Sequence, residues 1–172
     1  RVSVGDTQGV AVQVTDLETR KSKLALFSDN AKFFFKGISW KDDTTLMASV
    51  FTPAERDTFI NGQTVRFKTR DHDLMLINTE TDAVTQPVSS KFLRRYKIKP
   101  SARDWVVDAL YDDPDHILMA FPGIDNGFMR EPVVYKVNLK TQQATTYHQS
   151  KTNIHHWMTD QQHRVRVGIF SK

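Results

Sequence analysis

The amino-acid sequence predicts an all-β fold, a β-propeller fragment with about three blades' worth of four-stranded antiparallel sheets. Short segments rich in apolar or β-branched residues recur along the chain, several alternate with a period of two, and turn residues bound them. Helical periodicity is nearly absent. A hairpin and a strand–turn–strand unit alternate three times, as they do where propeller blades follow one another.

The predicted strands are short and apolar. They cover residues 9–14, 23–27, 45–51, 64–68, 74–77, 116–121, 133–138 and 164–170. Between them, Pro53 stands near the first position of a possible helical turn over residues 53–60. Residues 123–132 are predicted to form a long connection between two strands of one blade, and such loops often line a ligand-binding face.

The hairpin outline occurs at residues 10–27, 74–88 and 135–147. In each copy an apolar residue ends the first arm, Thr15, Asn78 or Asn138 follows it, and a polar turn containing threonine reverses the chain. Asn, Asp and Thr suit such turns because their side chains bond nearby backbone groups.

The strand–turn–strand unit occurs at residues 38–51, 106–121 and 153–170, each with aspartate at the reversal. The predicted organisation is a half blade (1–30), a blade (31–90), a basic insertion (91–103), a blade (104–148) and a half blade (149–172). A β-sandwich with coincidental hairpins is the alternative.

A tryptophan lies just before or within the first strand of each unit, at Trp40, Trp105 and Trp157. These side chains are expected to be buried between blades. The half blades expose unpaired strand edges, which leaves two possibilities open: frayed ends on an open arc, or a homodimer through blade edges.

Composition excludes several classes of site. The chain has no cysteine, which rules out disulfides, zinc–thiolate sites and cysteine nucleophiles. The net charge of +4 is mixed along the chain and indicates little about partners. No apolar run is long enough for a membrane helix, and the N-terminus has no apolar signal-peptide core. A soluble protein is therefore expected. Its compartment stays open between the cytoplasm and the periplasm or secretion.

No catalytic, cofactor-binding or metal-binding residue is predicted. Ser39 comes nearest to the Gly-x-Ser-x-Gly nucleophile elbow, but Lys41 replaces the second glycine. No glycine-rich phosphate loop is present. The paired aspartates at 42–43 and 112–113 stand at predicted turns, where capping explains them better than acid–base chemistry.

Four histidines in the last part of the chain raise the question of a metal: His148, His155, His156 and His163. Adjacent residues of a strand point to opposite faces, which argues against His155 and His156 sharing one ion.

The segment 91–103 is unusually basic. Two aromatic residues, Phe92 and Tyr96, are interleaved with its lysines and arginines. The candidate anion or partner patch consists of Arg94, Arg95, Lys97 and Lys99. Two interpretations are open: a surface for nucleic acid or acidic partners, with nucleic acid the less expected, and a solvated insertion anchored by its aromatic residues. In the connection at 123–132, Arg130 and Glu131 are the candidate residues for substrate access or interdomain contact.

The order of these segments resembles a known family. Five segments are similar to the amino-terminal propeller of bacterial prolyl oligopeptidase family serine peptidases of the acylaminoacyl or dipeptidyl peptidase type: residues 35–51, 74–84, 106–121, 131–141 and 154–169. The order of "PVVYKVNLKT" before "TDQQHRVRVG" carries most of this resemblance. The resemblance implies that an α/β-hydrolase domain, a partner absent from this chain, holds the catalytic residues. It also implies that the propeller restricts access of oligopeptide substrates.

Two hypotheses follow. The chain is either the non-catalytic gating domain of a larger serine peptidase, or a free-standing propeller scaffold that binds protein or nucleic acid. A cofactor or a membrane partner is expected in neither case.

Overall fold

A computed structural model describes residues 2–125 and 128–170, with side chains for all of these except 123–125 and 128–130. The chain is all-β, as predicted, and the described strands form four antiparallel sheets of two to four strands, consistent with a propeller fragment. The chain divides into two compact units, residues 1–85 and 86–172.

The first unit holds two sheets. The first sheet contains β1 (Val2–Val4), β2 (Thr7–Thr15) and β3 (Ser22–Ser28). The second contains β4 (Phe34–Trp40), β5 (Thr45–Ile60), β6 (Gln63–Asn78) and β7 (Val84–Thr85). The second sheet follows chain order, and the first sheet has one strand more than the predicted hairpin because β1 folds back on β2.

The second unit opens with helix α1 (Ser90–Arg95) and a 3-10 turn (Pro100–Ala102). Its third sheet contains β8 (Val106–Asp108), β9 (His116–Asp125), β10 (Phe128–Asn138) and β11 (Gln143–His148), again in chain order. The fourth sheet pairs β12 (Ile154–Thr159) with β13 (Val165–Phe170).

The two sheets of the first unit pack through apolar residues on facing surfaces. Val12 and Ala25 of the first sheet form one buried cluster with Leu46, Ala48 and Ile77 of the second. Since consecutive strand residues face opposite ways, the alternate positions 46 and 48 present one face of β5 to this cluster.

The third sheet is covered on both faces. On one face, Leu118, Ala120 and Val134 pack with Trp157 from β12. The Trp157 indole N–H also donates a 2.8 Å hydrogen bond to the Pro132 carbonyl, which ties β12 to β10. The other face is covered by helix α1, whose Phe92 contacts β9 and β10.

The three hairpins share one turn structure. In the second, Asn78 Oδ1 accepts from the backbone N–H of Glu80 at 3.0 Å and of Thr81 at 2.8 Å. Asn138 makes the same two bonds in the third hairpin. In the first, Asp16 makes them, so the expected equivalence of Thr15 was wrong by one residue.

A left-handed residue completes each of these turns, and its φ lies between 56° and 59° at Arg20, Asp82 and Gln142. The strand–turn–strand reversals use aspartate in a related way. Asp42 Oδ1 accepts from the N–H groups of Thr44 and Thr45, which confirms turn chemistry at that position.

The second sheet extends into a long ribbon. The residues predicted as a helical turn, 53–60, are instead strand, and β5 pairs with β6 through sixteen positions from Thr45 to Ile60. Asn61 and Gly62, with φ of 49° and 81°, form a two-residue hairpin loop, a geometry that both residue types favour. This local signal outweighed Pro53, which lies in the part of β5 beyond its pairing with β4.

Two further expectations were wrong. Residues 123–125 and 128–132 belong to strands β9 and β10 and not to a long loop, because Asp125 pairs with Phe128, while residues 126–127 lie outside the described part of the chain. Of the three tryptophans, Trp157 is buried at 6% exposure and Trp105 is half-buried, whereas Trp40 is 45% exposed. Trp40 stands on β4, at the edge of the second sheet.

We expect Trp157→Ala to lower the free energy of unfolding by about 3–5 kcal/mol, because it opens a cavity under β10 and removes a hydrogen bond. Trp40→Ala, a matched change at an exposed site, is expected to cost less than about 1 kcal/mol. Urea unfolding of the two variants measures the difference. Equal losses would contradict the assigned positions of the two side chains.

We expect Asn78→Ala to destabilise the chain by about 1–2 kcal/mol, because two backbone N–H groups lose their acceptor. Asn78→Asp keeps an acceptor oxygen at the same place and is expected to stay within about 0.5 kcal/mol of the parent. Thermal or urea unfolding compares them, and a loss as large in Asn78→Asp would speak against the shared turn.

Candidate ligand-binding site

Helix α1 and the turn that ends it position the candidate site. The Ser89 hydroxyl accepts from the Phe92 N–H at 3.2 Å and caps the helix start. At the other end Lys97 takes a left-handed φ of 51°, and the Ile98 N–H bonds the Leu93 carbonyl at 2.9 Å. This is a Schellman ending, and its accompanying apolar residue, Ile98, is buried.

Aromatic rings join this helix to the third sheet. Phe92 lies 5.7 Å from Phe121 of β9 and 5.1 Å from Tyr135 of β10, measured between ring centroids. Tyr96 lies 5.7 Å from Tyr135 in an edge-on arrangement. Phe92, Phe121 and Tyr135 are buried, but Tyr96 is 41% exposed, so one ring of the cluster remains accessible.

A cavity of about 340 Å³ opens beside this cluster. Its walls include the rings of Tyr96, Phe121 and Tyr135 and the side chains of Val133 and Glu131. The alternate positions 131, 133 and 135 line one side of β10, and the strand continues beyond the end of helix α1. Helix α1 therefore covers this face of β10 at Tyr135 but covers it less at Val133 and Glu131, which are half-buried.

A β-bulge places Glu131 at this cavity. Met129 pairs with Ile124 and Pro132 with Pro122, so Arg130 and Glu131 together oppose one residue of β9. Bulges of this kind redirect a side chain locally. Glu131 Oε1 accepts from the Asn153 N–H at 3.2 Å, which holds the carboxylate beside the aromatic rings.

The ionisation of Tyr135 fits this environment. Burial raises the pKa of the Tyr135 hydroxyl, and the neighbouring Tyr96 adds to the rise. Tyr135 is therefore a neutral phenol at physiological pH, and Glu131 is the acidic residue among the described ones that line the cavity.

Basic residues line a second cavity, which shares Tyr96 with the first. This second cavity, of about 410 Å³, is lined by Lys91, Arg95 and Tyr96 together with polar residues of the hairpin after β10. The Arg95 guanidinium carbon stands 5.6 Å from the Tyr96 ring centroid. Arg94, Arg95 and Lys97 are exposed, and Lys99 is half-buried.

The structure thus brings one predicted site residue, Glu131, next to the aromatic segment of the basic insertion. The side chain of Arg130 lies outside the described residues. Phe121 and Tyr135 were missed as site residues because they read as ordinary strand positions. The sequence pattern that could have linked Tyr135 to Glu131 is the period-two series of Glu131, Val133 and Tyr135, which places all three on one side of the strand.

The other candidates for chemistry stand apart. Ser39 is an exposed residue within β4, opposite Met47, and not on a strand-to-helix turn. His156 packs on Trp105 at 4.2 Å and His148 on Trp157 at 4.6 Å, measured between ring centroids. Across the described ranges, no group of three or more histidines or carboxylates is placed to hold a metal ion.

His163 takes part in a polar cluster. Its Nδ1 lies 3.0 Å from Asp108 Oδ2, which also accepts from the Thr159 hydroxyl at 2.5 Å. Its Nε2 lies 3.6 Å from Asp112. The cluster ties β8 to the hairpin of β12 and β13, so it links the third and fourth sheets.

The two ionisable groups at the centre of this cluster shift in opposite directions. The hydrogen bond to Asp108 raises the pKa of His163, despite an opposing contribution from burial. Burial disfavours the Asp108 carboxylate, but bonds from Thr159, the Leu110 N–H and His163 outweigh it and lower the pKa of Asp108.

We expect His163 to stabilise the fold at low pH. A raised folded pKa means that its contribution is complete below the unfolded value of 6.5 and is lost as pH rises through the folded value. The stability difference between the parent and His163→Gln should therefore shrink from about pH 5 to about pH 8. Asp108 stays ionised throughout, since its folded pKa is below 3.8.

Urea unfolding of the parent and of His163→Gln across this pH range measures the stability difference. His155→Gln, at an exposed position of β12, is the matched control. A difference that grows with pH would contradict the assigned contact.

No protein-family model matches the chain, and neither a curated protein nor a solved structure matches it. Among the residues that the structure describes, no helix combines the length and apolar character needed to cross a lipid bilayer.

Proposed function

We propose that the chain is the non-catalytic gating domain of a serine peptidase that acts on oligopeptides. The catalytic α/β-hydrolase domain would be supplied outside these 172 residues. In this arrangement the propeller restricts which peptides reach the hydrolase, and peptide substrates meet its walls before they are cleaved.

The repeated blade-like sheet carries this proposal. Sheets β4–β7 and β8–β11 are four-stranded meanders in chain order, and the hairpin of each ends in the same asparagine-capped turn. This is the organisation of propeller blades. This sheet organisation supports the resemblance of the segment order to a peptidase propeller. The proposed gating role follows from that resemblance.

The position of Ser39 supports a non-catalytic role. A nucleophile elbow holds its serine on a sharp turn between a strand and a helix, where backbone N–H groups stabilise the oxyanion. Ser39 lies inside β4 and pairs with a residue of β5, so its backbone is engaged in the sheet.

The test begins with the reading frame that encodes the chain. We expect it to continue into a Gly-x-Ser-x-Gly motif followed by an aspartate and a histidine. In the purified parent protein, changing the serine of that motif to alanine should abolish cleavage of aminoacyl-nitroanilides. Ser39→Ala, the matched change in this chain, should leave the rate unchanged.

Loss of activity in Ser39→Ala with a folded protein would contradict the proposal. So would a reading frame with no hydrolase motif, which would favour the second candidate.

That second candidate is a propeller scaffold that binds an acidic partner. The observation that favours it is the exposure of Arg94, Arg95 and Lys97 around the end of one short helix. Binding through these side chains would weaken steeply as salt is added. Replacing Arg94 and Arg95 by glutamine should then reduce binding of a short acidic peptide.

A further inference from the structure

We infer that the cavity between helix α1 and the hairpin of β10 and β11 is a binding site for a phosphomonoester group. Lys91 and Arg95 line it from the helix, and Thr141, Gln142 and Gln143 line it from the hairpin. Its volume of about 410 Å³ is of the size that small-ligand sites have. The inference rests on this cavity and does not depend on the peptidase assignment.

The helix and the hairpin that form the cavity are tied together. The Ser89 N–H donates to the Gln142 carbonyl at 3.3 Å, and the Gln142 side-chain N–H donates to the Gln86 carbonyl at 3.0 Å. Phe92 fixes the buried side of the helix, with its ring 5.1 Å from that of Tyr135 between centroids. The two walls are therefore in place before a ligand arrives, which lowers the entropic cost of binding.

The helix side of the cavity is positively charged. Lys91 and Arg95 are four residues apart, so they lie on the same face of helix α1. Their ammonium and guanidinium groups donate hydrogen bonds and accept none, so the ligand must supply the acceptors. Among the described residues that line the cavity none is acidic, and neither Lys91 nor Arg95 forms a salt bridge with a described carboxylate.

Two neighbouring cations favour a doubly charged oxyanion. A phosphomonoester carries about −1.5 to −2 charges near neutral pH and has three strong acceptor oxygens. A carboxylate has a single charge and two oxygens, so it matches the pair of cations less fully. The Arg95 guanidinium can hold two phosphate oxygens in a fork, the Lys91 ammonium can act as a point charge, and the Gln143 amide N–H can donate from the hairpin side.

The rest of the basic segment lies outside this cavity. Of the described residues, Arg94, Lys97 and Lys99 are not among those that line it, so the site differs from the exposed patch of the second candidate function. Tyr96 adds an aromatic wall beside Arg95, whose guanidinium carbon stands 5.6 Å from the ring centroid. This cation–π contact restricts the guanidinium at the cavity.

The test titrates the full chain with inorganic phosphate at about pH 8, where most of the phosphate is doubly charged, and at constant ionic strength. Backbone amide signals are followed by NMR, and we expect saturable shifts at Lys91, Arg95 and Gln143. Acetate, a singly charged oxyanion, should bind at least about fivefold more weakly, because it matches only part of the paired positive charge. Equal affinity for phosphate and acetate, or no saturable shift at these amides, would overturn the inference.

Four variants separate the cavity from diffuse attraction. Lys91→Gln and Arg95→Gln each remove one charge at an exposed position and should weaken phosphate binding at least about fivefold. Lys151→Gln, at an exposed lysine that does not line the cavity, should leave the affinity unchanged. Arg94→Gln, on the same helix, should weaken binding less than about twofold. A loss in Arg94→Gln as large as in Arg95→Gln would show attraction to the whole patch and would contradict a site in the cavity.

The native amide spectrum of each variant checks its fold. Unchanged affinity in both Lys91→Gln and Arg95→Gln would also overturn the inference. If one of these two variants is unfolded, the other variant and the comparison of phosphate with acetate decide, since that comparison needs no substitution.

Two phosphomonoesters then distinguish the sources of the group. A short peptide with blocked ends and one phosphoserine that binds at least about fivefold more tightly than inorganic phosphate identifies a phosphorylated peptide. The same gain for ribose 5-phosphate alone identifies a small sugar phosphate. Weaker binding of both esters than of inorganic phosphate would overturn the assignment of an ester and leave only the bare ion.

Discussion

The covering of both faces of the third sheet is the constraint on which the second unit depends. The strand residues from Ile117 to Phe121 are at most 1% exposed, so this part of β9 buries its side chains on both faces of the sheet. One face requires Trp157 from the fourth sheet, and the other requires Phe92 from helix α1. A sheet of this kind cannot be stable alone, because it would expose two apolar faces to water.

The candidate site is a consequence of that covering. Helix α1 has only six residues and ends at a Schellman turn, whereas β10 runs on to its bulge at Arg130 and Glu131. The helix therefore covers the face at Tyr135 and stops short of Glu131. The space left between the helix end and the bulge is the aromatic cavity, and its walls are residues that the core already holds in place.

The fold was largely predictable from local patterns, and its departures have local causes. Apolar alternation located most of the strands, and aspartate or asparagine located the turns. The ribbon of β5 and β6 was not predicted, because Pro53 favours the start of a helical turn. In the structure the Asn61-Gly62 loop instead sets the strand register directly. Helix α1 was missed because six residues show too little periodicity, and its stability comes from Ser89, Ile98 and the burial of Phe92.

The site was predictable only in part, since its members come from separated segments. Glu131 and Tyr96 were each singled out by charge or aromatic character, but their proximity depends on the way helix α1 docks on β10. Within the site, the residues differ in how far they are exposed to solvent. Phe92, Phe121 and Ile98 are buried and hold helix α1 on the sheet, whereas Tyr96 and Glu131 remain accessible. Tyr96 still packs against Phe92 and Tyr135, so its ring both stabilises the end of helix α1 and lines the open cavity.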